Sequence, residues 1–531
     1  MIMIAHVLRF VEKPSKEVLS RADAYAESAV AGTLPRTYQS FGAIELMILL
    51  LAQHYDMQRG KFTSAWLLIG NCARMMQMMS LHTFDRTYTA RLPTDLSPLL
   101  SREALRRVAW ATFYADTMVD GGRFGCHVVD ETALGFLQLP CDEPSFANNQ
   151  ERETESLFSP RGVANNMSSA NLGISAYLLR TAATRRRALH FAFRATHRED
   201  TVEELTIELA KIESHVKDVG DSLPDHLHYN SHNRLLHQNC LTTFILLHVL
   251  RHNLFIIVDR AALQIYRREP VQSDLIDQAR RRRIAHAFPI AELIAEGLEA
   301  GIIFDPHTGV QAYVALEILL LEPSRLAATD PDMDPKANKF EIALGHLLSL
   351  IRSLAARSEI VYRLHIEAVY RLLQHHWIRL IDDNDLKSFQ RDYRLVGQDG
   401  AEYDFREFRW AKLERVSRDV KTSTTMPRDE VLLESRADVE ENNHVSTSAP
   451  LIESGTSSSA AEASPALMLQ SQNYDGLNTL NQGPSISAEQ YQPWLEQVIA
   501  ENLAQEFSLD WSTWLFDGSG TPWPTGSSAM F

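Results

Sequence analysis

The sequence predicts an all-α fold, and three observations carry that expectation. Apolar residues recur three and four positions apart across most of residues 1–420, alternation with period two is scarce, and helix-stopping residues fall between the periodic segments. The apolar ridges place helices over residues 41–55, 64–81, 102–119, 202–219, 237–258, 276–299, 310–321, 340–356 and 358–377. The stops between them are Pro93 and Pro98, Gly121 with Gly122, Pro140 and Pro144, Pro224, Pro306, and the turn from Asp330-Pro331 to Asp334-Pro335. No fixed period repeats along the chain, so a stacked-repeat architecture is not expected.

Composition divides the chain in two. Of 531 residues, 45% are hydrophobic and 23% charged, which fits a globular body and excludes a wholly disordered or fibrous one. The formal charge is −16. Residues 427–531 hold fifteen acids against Arg428 and Arg436, a balance of −13, which leaves −3 for the body. Four cysteines (Cys72, Cys126, Cys141, Cys240) are too sparse and too far apart for a disulfide framework or a paired-cysteine zinc site. Charged residues soon follow the short apolar start, and Glu45 and Arg251 interrupt the two greasiest stretches. The expectation is a soluble intracellular protein with no secretory leader and no membrane span.

Enzyme signatures are missing from the sequence: no phosphate-binding P-loop, no GxGxxG, no GxSxG elbow and no HExxH. Asp382, Asp383 and Asp385 could hold Mg²⁺ on a diphosphate in an all-α terpenoid-type enzyme, but the run sits where a helix should end. A solvated helix end is the better reading. Asp330, Asp332 and Asp334 alternate as in a calcium loop, yet prolines follow two of them. His226, His228, His232 and His237, with Cys240 and His248 nearby, include one pair at metal-binding helical spacing. Asn230 and Asn233 mark the segment as a loop, which favours solvated histidines. No cofactor or metal and no catalytic residue is expected.

The strongest local signal is a pair of helices between residues 60 and 140. In the first, Trp66, Ile69, Gly70, Ala73 and Gln77 share a stripe whose small residues would permit close helix contact. In the second, Ser101 can cap the start, and Trp110, Phe113 and Tyr114 add aromatic mass to one side. By composition alone this is core packing.

The spacing of these residues resembles the middle homology region of fungal zinc-cluster transcription factors. That pattern runs W-x3-G-x-A-x-R-x-A-x2-L-G-L-H, then R-R-x-x-W-x-x-F/Y-x-x-D, then G-R-P and a proline-ended segment. The chain matches it at Trp66, Gly70, Arg74, Leu81 and His82, then at Arg106, Arg107, Trp110, Phe113, Tyr114 and Asp116, then at Gly125 and Pro140. It departs at Cys72, Met76, Met79, Ser80 and Cys126-His127. The best-matching core covers residues 60–145. The resemblance implies a large helical regulatory domain in a nuclear protein that regulates transcription, often of metabolic or secondary-metabolite genes. Relatives normally carry a six-cysteine, two-zinc reader that sets a helix in the major groove. Four cysteines cannot supply it, so either this sequence is a truncated gene product whose reader lies upstream, or promoter DNA would be reached directly by other residues or through a partner transcription factor. A homodimer is a further possibility that the resemblance raises.

Arg185, Arg186 and Arg187, with Arg194 and Arg198, and the run Arg280, Arg281, Arg282 and Arg283 are the basic clusters. Solvated helix faces are the plainer reading of both; the second could instead serve as a nuclear import signal, and direct contact with phosphate is the remaining alternative. Beyond residue 420, residues 421–485 read as a disordered linker, because stretches such as 446–465 cannot bury enough apolar surface to offset chain entropy. Residues 486–531 read as an acidic-aromatic activation segment. Leu495, Ile499, Leu503 and Phe507 form a ridge after Trp494, and Trp511, Trp514 and Phe516 follow among acidic residues. Acids would keep these side chains in water until a coactivator groove accepts them.

Overall fold

The computed structural model describes residues 1–10, 15–85, 101–120, 127–158, 170–197, 200–268 and 273–392. Helices account for the regular structure of these residues. They are α1 (Ile2–Arg9), α2 (Lys16–Thr37), α3 (Ala43–Gln58), α4 (Phe62–Met78), α5 (Arg102–Asp120), α6 (Glu143–Ala147), α7 (Ile174–His197) and α8 (Val202–Asp221), then α9 (Ser231–Leu236), α10 (Leu241–Tyr266), α11 (Ser273–Glu299), α12 (Pro306–Leu326), α13 (Asn338–Ala355), α14 (Glu359–Gln374) and α15 (Asp383–Asp392). Among the described residues no strand occurs, and the only extended pairings are the isolated bridges Gln138–Ser156 and Cys141–Leu172. The predicted all-α class is what the chain adopts.

Local chemistry explains the boundaries. The Ser15 hydroxyl accepts from Val18 N at the start of α2, the Thr201 and Glu204 side chains form a reciprocal capping box on α8, and Asp305 accepts from His307 N at the start of α12. Pro306 therefore opens α12 at its first turn and does not stop a helix, because a proline there lacks only an N–H that would be unpaired anyway. α4 ends where Ser80 takes a left-handed conformation (φ 55°) before the short turn Leu81–Thr83. α1, α2, α7 and α15 were not among the periodic segments. α2 is rich in alanine and α7 buries Thr181, Thr184, Arg185 and Arg186, so neither shows a clean apolar stripe.

A large apolar core runs through α3, α4, α5, α10, α11, α12, α13 and α14, with Trp110, Phe113, Phe244 and Phe340 fully buried within it. α10 packs between α11 and α7, and α11, α12 and α13 follow as sequential neighbours. A second cluster joins α7, α8 and the second half of α10 through Phe191, Leu205, Leu209, Leu254 and Ile257. The helical stretch Gln238–Tyr266 is long and apolar enough to cross a membrane, but 72% of its apolar window is buried inside this fold. Most of its apolar surface faces neighbouring helices, which accounts for its hydropathy.

Candidate functional site

α4 and α5 place the signature residues. The buried face of α4 is Phe62, Ala65, Leu68, Ile69, Cys72, Ala73, Met75 and Met76. Trp66, Gly70 and Gln77 lie at its margin, half-exposed, and Arg74 is exposed, donating to Gln77 Oε1 at 3.1 Å. The stripe is thus rotated from the predicted one. A Cβ on Gly70 would meet no heavy atom within 4 Å, so this glycine does not mark a close helix contact. Leu81 is fully buried and His82 half-buried in the turn that follows.

On α5 the picture is different. Arg106 is buried and donates from Nε and Nη2 to Asp85 at 2.9 and 2.7 Å, and from Nη1 to Glu103 at 2.6 Å. Burial pushes the Asp85 carboxyl up, but the bonds from Arg106 outweigh it and hold the carboxyl below its ordinary value. Arg107 reaches Glu103 at 3.0 Å, Glu143 at 3.0 Å and the Cys141 carbonyl at 2.8 Å, and its guanidinium stacks over Phe146. The Trp110 indole donates to the Gln138 carbonyl at 2.7 Å and meets Phe113 edge-on. Asp116 accepts from Val128 N at 3.1 Å and Val129 N at 3.0 Å and faces Arg186 of α7 at 3.5 Å. Burial nevertheless raises its pKa.

These bonds share one target. Residues 127–158 form a strap of turns, the short helix α6 and isolated bridges, and side chains of α5, of α7 and of Asp85 satisfy part of its main chain. Asp85 accepts from Gln138 N and Glu103 from Cys141 N, while Arg186 donates to the Val129 carbonyl. Pro140 is buried in the strap, and Gly125 lies outside the described residues. Sequence reasoning found Arg106, Arg107, Trp110 and Asp116 and missed Asp85, Glu103, Glu143 and Arg186. Glu103, one turn before Arg106 and Arg107, was the available clue.

The basic clusters are not free. Arg280 pairs with Asp277 and Glu322, Arg281 with Asp330, and Arg282 with Asp259 at 2.5 Å, while Arg283 is enclosed in the core against Glu322. An import signal must be offered to its receptor as an accessible basic run. Arg280, Arg281, Arg282 and Arg283 are helical, partly buried and individually paired in this fold. Arg185 donates to Asn253, Arg187 pairs with Glu131, and Arg194 pairs with Asp200 and Glu208. Arg198 lies outside the described residues.

The aspartate runs are structural as well. Asp382 accepts from Asn384 N and Asp385 N, capping α15. Asp385 is buried between Arg352 and His365, whose bonds hold its carboxyl well below the usual range against the opposing effect of burial. A carboxylate committed to two such donors is a poor Mg²⁺ ligand. Asp330 and Asp334 cap their own turns at Asp332 N and Lys336 N. In the histidine-rich turn, His237 Nε2 lies 2.9 Å from the His226 carbonyl and His248 Nε2 3.0 Å from that of Leu227. Among the described residues no group of three or more His, Cys, Asp or Glu is placed to hold a metal ion.

One further polar cluster went unnoticed in the sequence. His6 of α1 stacks on His54 of α3, and His54 faces His307, which Asp305 binds at 2.7 Å. Burial lowers His54 to about 4. The adjoining cleft, lined by His54, Met57, Gln58, Pro306, His307, Val310 and Ile360, has room for little more than a water molecule. The activation residues Trp494, Leu495, Ile499, Leu503, Phe507, Trp511, Trp514 and Phe516 lie outside the described residues, as does the linker 421–485.

Residues 36–180 match the family model described as the fungal specific transcription factor domain. The chain is similar to the Zn(2)-C6 fungal-type transcription factor FTF1c of Fusarium oxysporum f. sp. lycopersici, with 27% identity over 293 residues, covering 52% of this chain and 31% of that protein. It is also similar to an uncharacterized transcriptional regulatory protein of Schizosaccharomyces pombe, with 27% identity over 158 residues, 28% of this chain and 22% of the relative. A third similarity is to the tropolone cluster transcription factor tropK of Talaromyces stipitatus, with 27% identity over 100 residues, 19% of this chain and 17% of the relative. The match to the first of these spans about a third of that relative's length. No solved structure matches.

Proposed function

We propose that this chain, which carries a fungal specific transcription factor domain over residues 36–180, regulates transcription through a helical scaffold and an acidic-aromatic tail. The observation that carries the reading is the use made of the signature residues. Arg106, Arg107, Trp110 and Asp116 bind one another's partners and the main chain of the strap, which is scaffold construction. The tail would recruit coactivators through Trp494, Leu495, Ile499, Leu503, Phe507, Trp511, Trp514 and Phe516, and the scaffold would restrain or tune that recruitment. Action in the nucleus follows from this role. The relatives' names support transcription as the process, and the tropolone cluster regulator among them supports a secondary-metabolite gene cluster as the target.

Fusing residues 486–531 to an unrelated DNA-binding domain and measuring reporter output tests the tail. Activation that falls when Trp511→Ala and Trp514→Ala are combined supports the reading, and an inert fusion overturns it. Promoter DNA would be reached through a partner transcription factor, a reading favoured because carboxylates or a buried amide already engage Arg185, Arg187, Arg194 and Arg280 to Arg283. Gel-shift with the purified chain separates the cases. Sequence-specific binding with a steep salt slope means a DNA reader in this chain, and its absence supports the partner.

A further inference from the structure

Away from the α4–α5 region, α10 and α11 bring His252 and His286 face to face. Their Nδ1 atoms lie 3.1 Å apart, with ring centroids separated by 5.4 Å and planes crossing at 44°. Both side chains are half-buried at the seam between the two helices. Phe255 of α10 stacks on His286 with centroids 4.4 Å apart and planes 5° from parallel, which fixes the orientation of that ring. His248 stands one turn before His252, but its Nε2 lies 3.0 Å from the Leu227 carbonyl and its Nδ1 faces Arg251 Nη1 at 3.4 Å. It is committed elsewhere, which leaves His252 and His286 as the facing pair.

Two neutral imidazoles meet in this way when one Nδ1–H donates to the bare Nδ1 of the other. A single proton then stands between two nitrogens whose lone pairs converge. We propose that a divalent transition ion can take that place, so that His252 and His286 form a two-imidazole site, strongest for Cu²⁺ and weaker for Ni²⁺ or Zn²⁺, which clamps α10 to α11. No proton is lost in the exchange: the one between the rings moves through solvent to Nε2, and each ring presents Nδ1 to the ion. The spacing suits this. Two nitrogens at about 2.0–2.1 Å from an ion lie roughly 3.3 Å apart in tetrahedral geometry and about 2.9 Å apart at right angles. The observed 3.1 Å falls between the two. Half-burial leaves a side open to water, which would complete the coordination shell. Burial lowers both imidazoles to about 4, helped by Arg251 at His252 and Arg282 at His286, so at neutral pH neither ring carries a second proton to compete with metal. These two arginines are the cations facing the pair. Asp259 offsets Arg282 at 2.5 Å, while Arg251 donates to the Gly220 carbonyl at the end of α8. Their positive field and the small ligand set make this a weak, exchangeable site, occupied when the ion is abundant and unlike a permanent structural centre.

The test is calorimetric titration of the full chain with CuCl₂ or NiCl₂ at neutral pH. The histidine-rich turn could take up the same ions, so the parent chain carries His226→Ala, His228→Ala and His232→Ala. It should bind one equivalent. His286→Phe keeps a ring stacked on Phe255 and should weaken binding by at least about tenfold, the least that losing even an outer-shell partner costs. The melting midpoint of the parent should rise with added Ni²⁺, because the ion binds the folded state, and that of His286→Phe should not. Electron paramagnetic resonance of the cupric parent gives a readout that needs no variant: coupling to two imidazole nitrogens is expected. A parent that binds no ion, a cupric spectrum without two coupled nitrogens, or an equivalent that survives His286→Phe unchanged overturns the proposal.

Discussion

The α4–α5 region and the α10–α13 region solve the same problem, burial of a helix pair, by opposite means. Around α10 apolar contacts dominate: Phe244, Ile245, Leu247 and Leu250 are fully buried, and Asp259 with Arg282 and Asn253 with Arg185 add polar links to α11 and α7. Around α5 a lattice of guanidinium and carboxylate groups is buried, with Asp85, Glu103 and Arg106 nearly removed from solvent. An apolar interface tolerates substitution of shape for shape, whereas a buried ionic lattice weakens when one member is removed, because the remaining buried charges are left with fewer partners.

Four experiments sharpen that contrast, and the first should have the largest effect. Arg106→Ala removes the cation that Asp85 and Glu103 share, leaving them Arg102, Arg107 and the strap amides, and should cost about 3–5 kcal/mol, read from urea denaturation. Converting Asp85, Glu103 and Arg106 together to apolar residues of similar volume should recover only part of that loss, because Gln138 N and Cys141 N lose their acceptors. If the triple variant is no more stable than the single, the lattice is not the cause. Next comes acid. Burial lowers His248 to about 3, and His252 and His286 to about 4, in the α10–α11 region. These imidazoles are neutral when folded and take up protons when unfolded, so stability is present above about pH 6.5 and falls as pH drops toward 4, by roughly 1 kcal/mol per histidine per pH unit. Asp85 behaves differently: its folded pKa is lowered, so its contribution is lost only below the ordinary carboxylate range. Hydrogen exchange followed while lowering the pH should therefore show α10 opening before α5, and the reverse order would break the comparison.

Two glycines give the smaller effects. A Cβ on Gly297 would lie 2.3 Å from Phe304 Cζ, so Gly297→Ala in the apolar region should cost about 1–3 kcal/mol by overpacking. Gly70→Ala on the open margin of α4 meets nothing and should stabilise by about 0.5–1 kcal/mol. Thermal melts of both variants check the signs, and a destabilised Gly70→Ala would mean that the α4 margin is in fact occupied.

The same contrast explains what could be read beforehand. The apolar helices announced themselves by period, and those predicted over 276–299, 340–356 and 358–377 lie within a few residues of α11, α13 and α14. Period also found α4 but misjudged its orientation, since Trp66 and Gly70 look like packing residues yet stand at the margin. α7 stayed hidden because two of its buried residues are arginines. Arg280, Arg281, Arg282 and Arg283 looked like a solvated run because their partners Asp259, Glu322 and Asp330 are distant or unremarkable in sequence. Ion pairing across helices leaves no periodic trace. Arg106, Arg107, Trp110 and Asp116 were found through the resemblance, and only the coordinates show that they act on a stretch of backbone.

That stretch has an uneven grammar. Gln138, Cys141, Val128 and Val129 engage α5 and α7 through peptide groups, so their contribution to these bonds is independent of which side chain each carries. The helix partners have no such latitude, since a guanidinium, an indole or a carboxylate must stand at each place. Sequence change should therefore be tolerated at the exposed positions of the ribbon, while its buried Val129, Leu134, Leu137 and Leu139 and the gripping helix stay fixed, and a lineage could remodel the outer surface of this ribbon without disturbing how it is fastened.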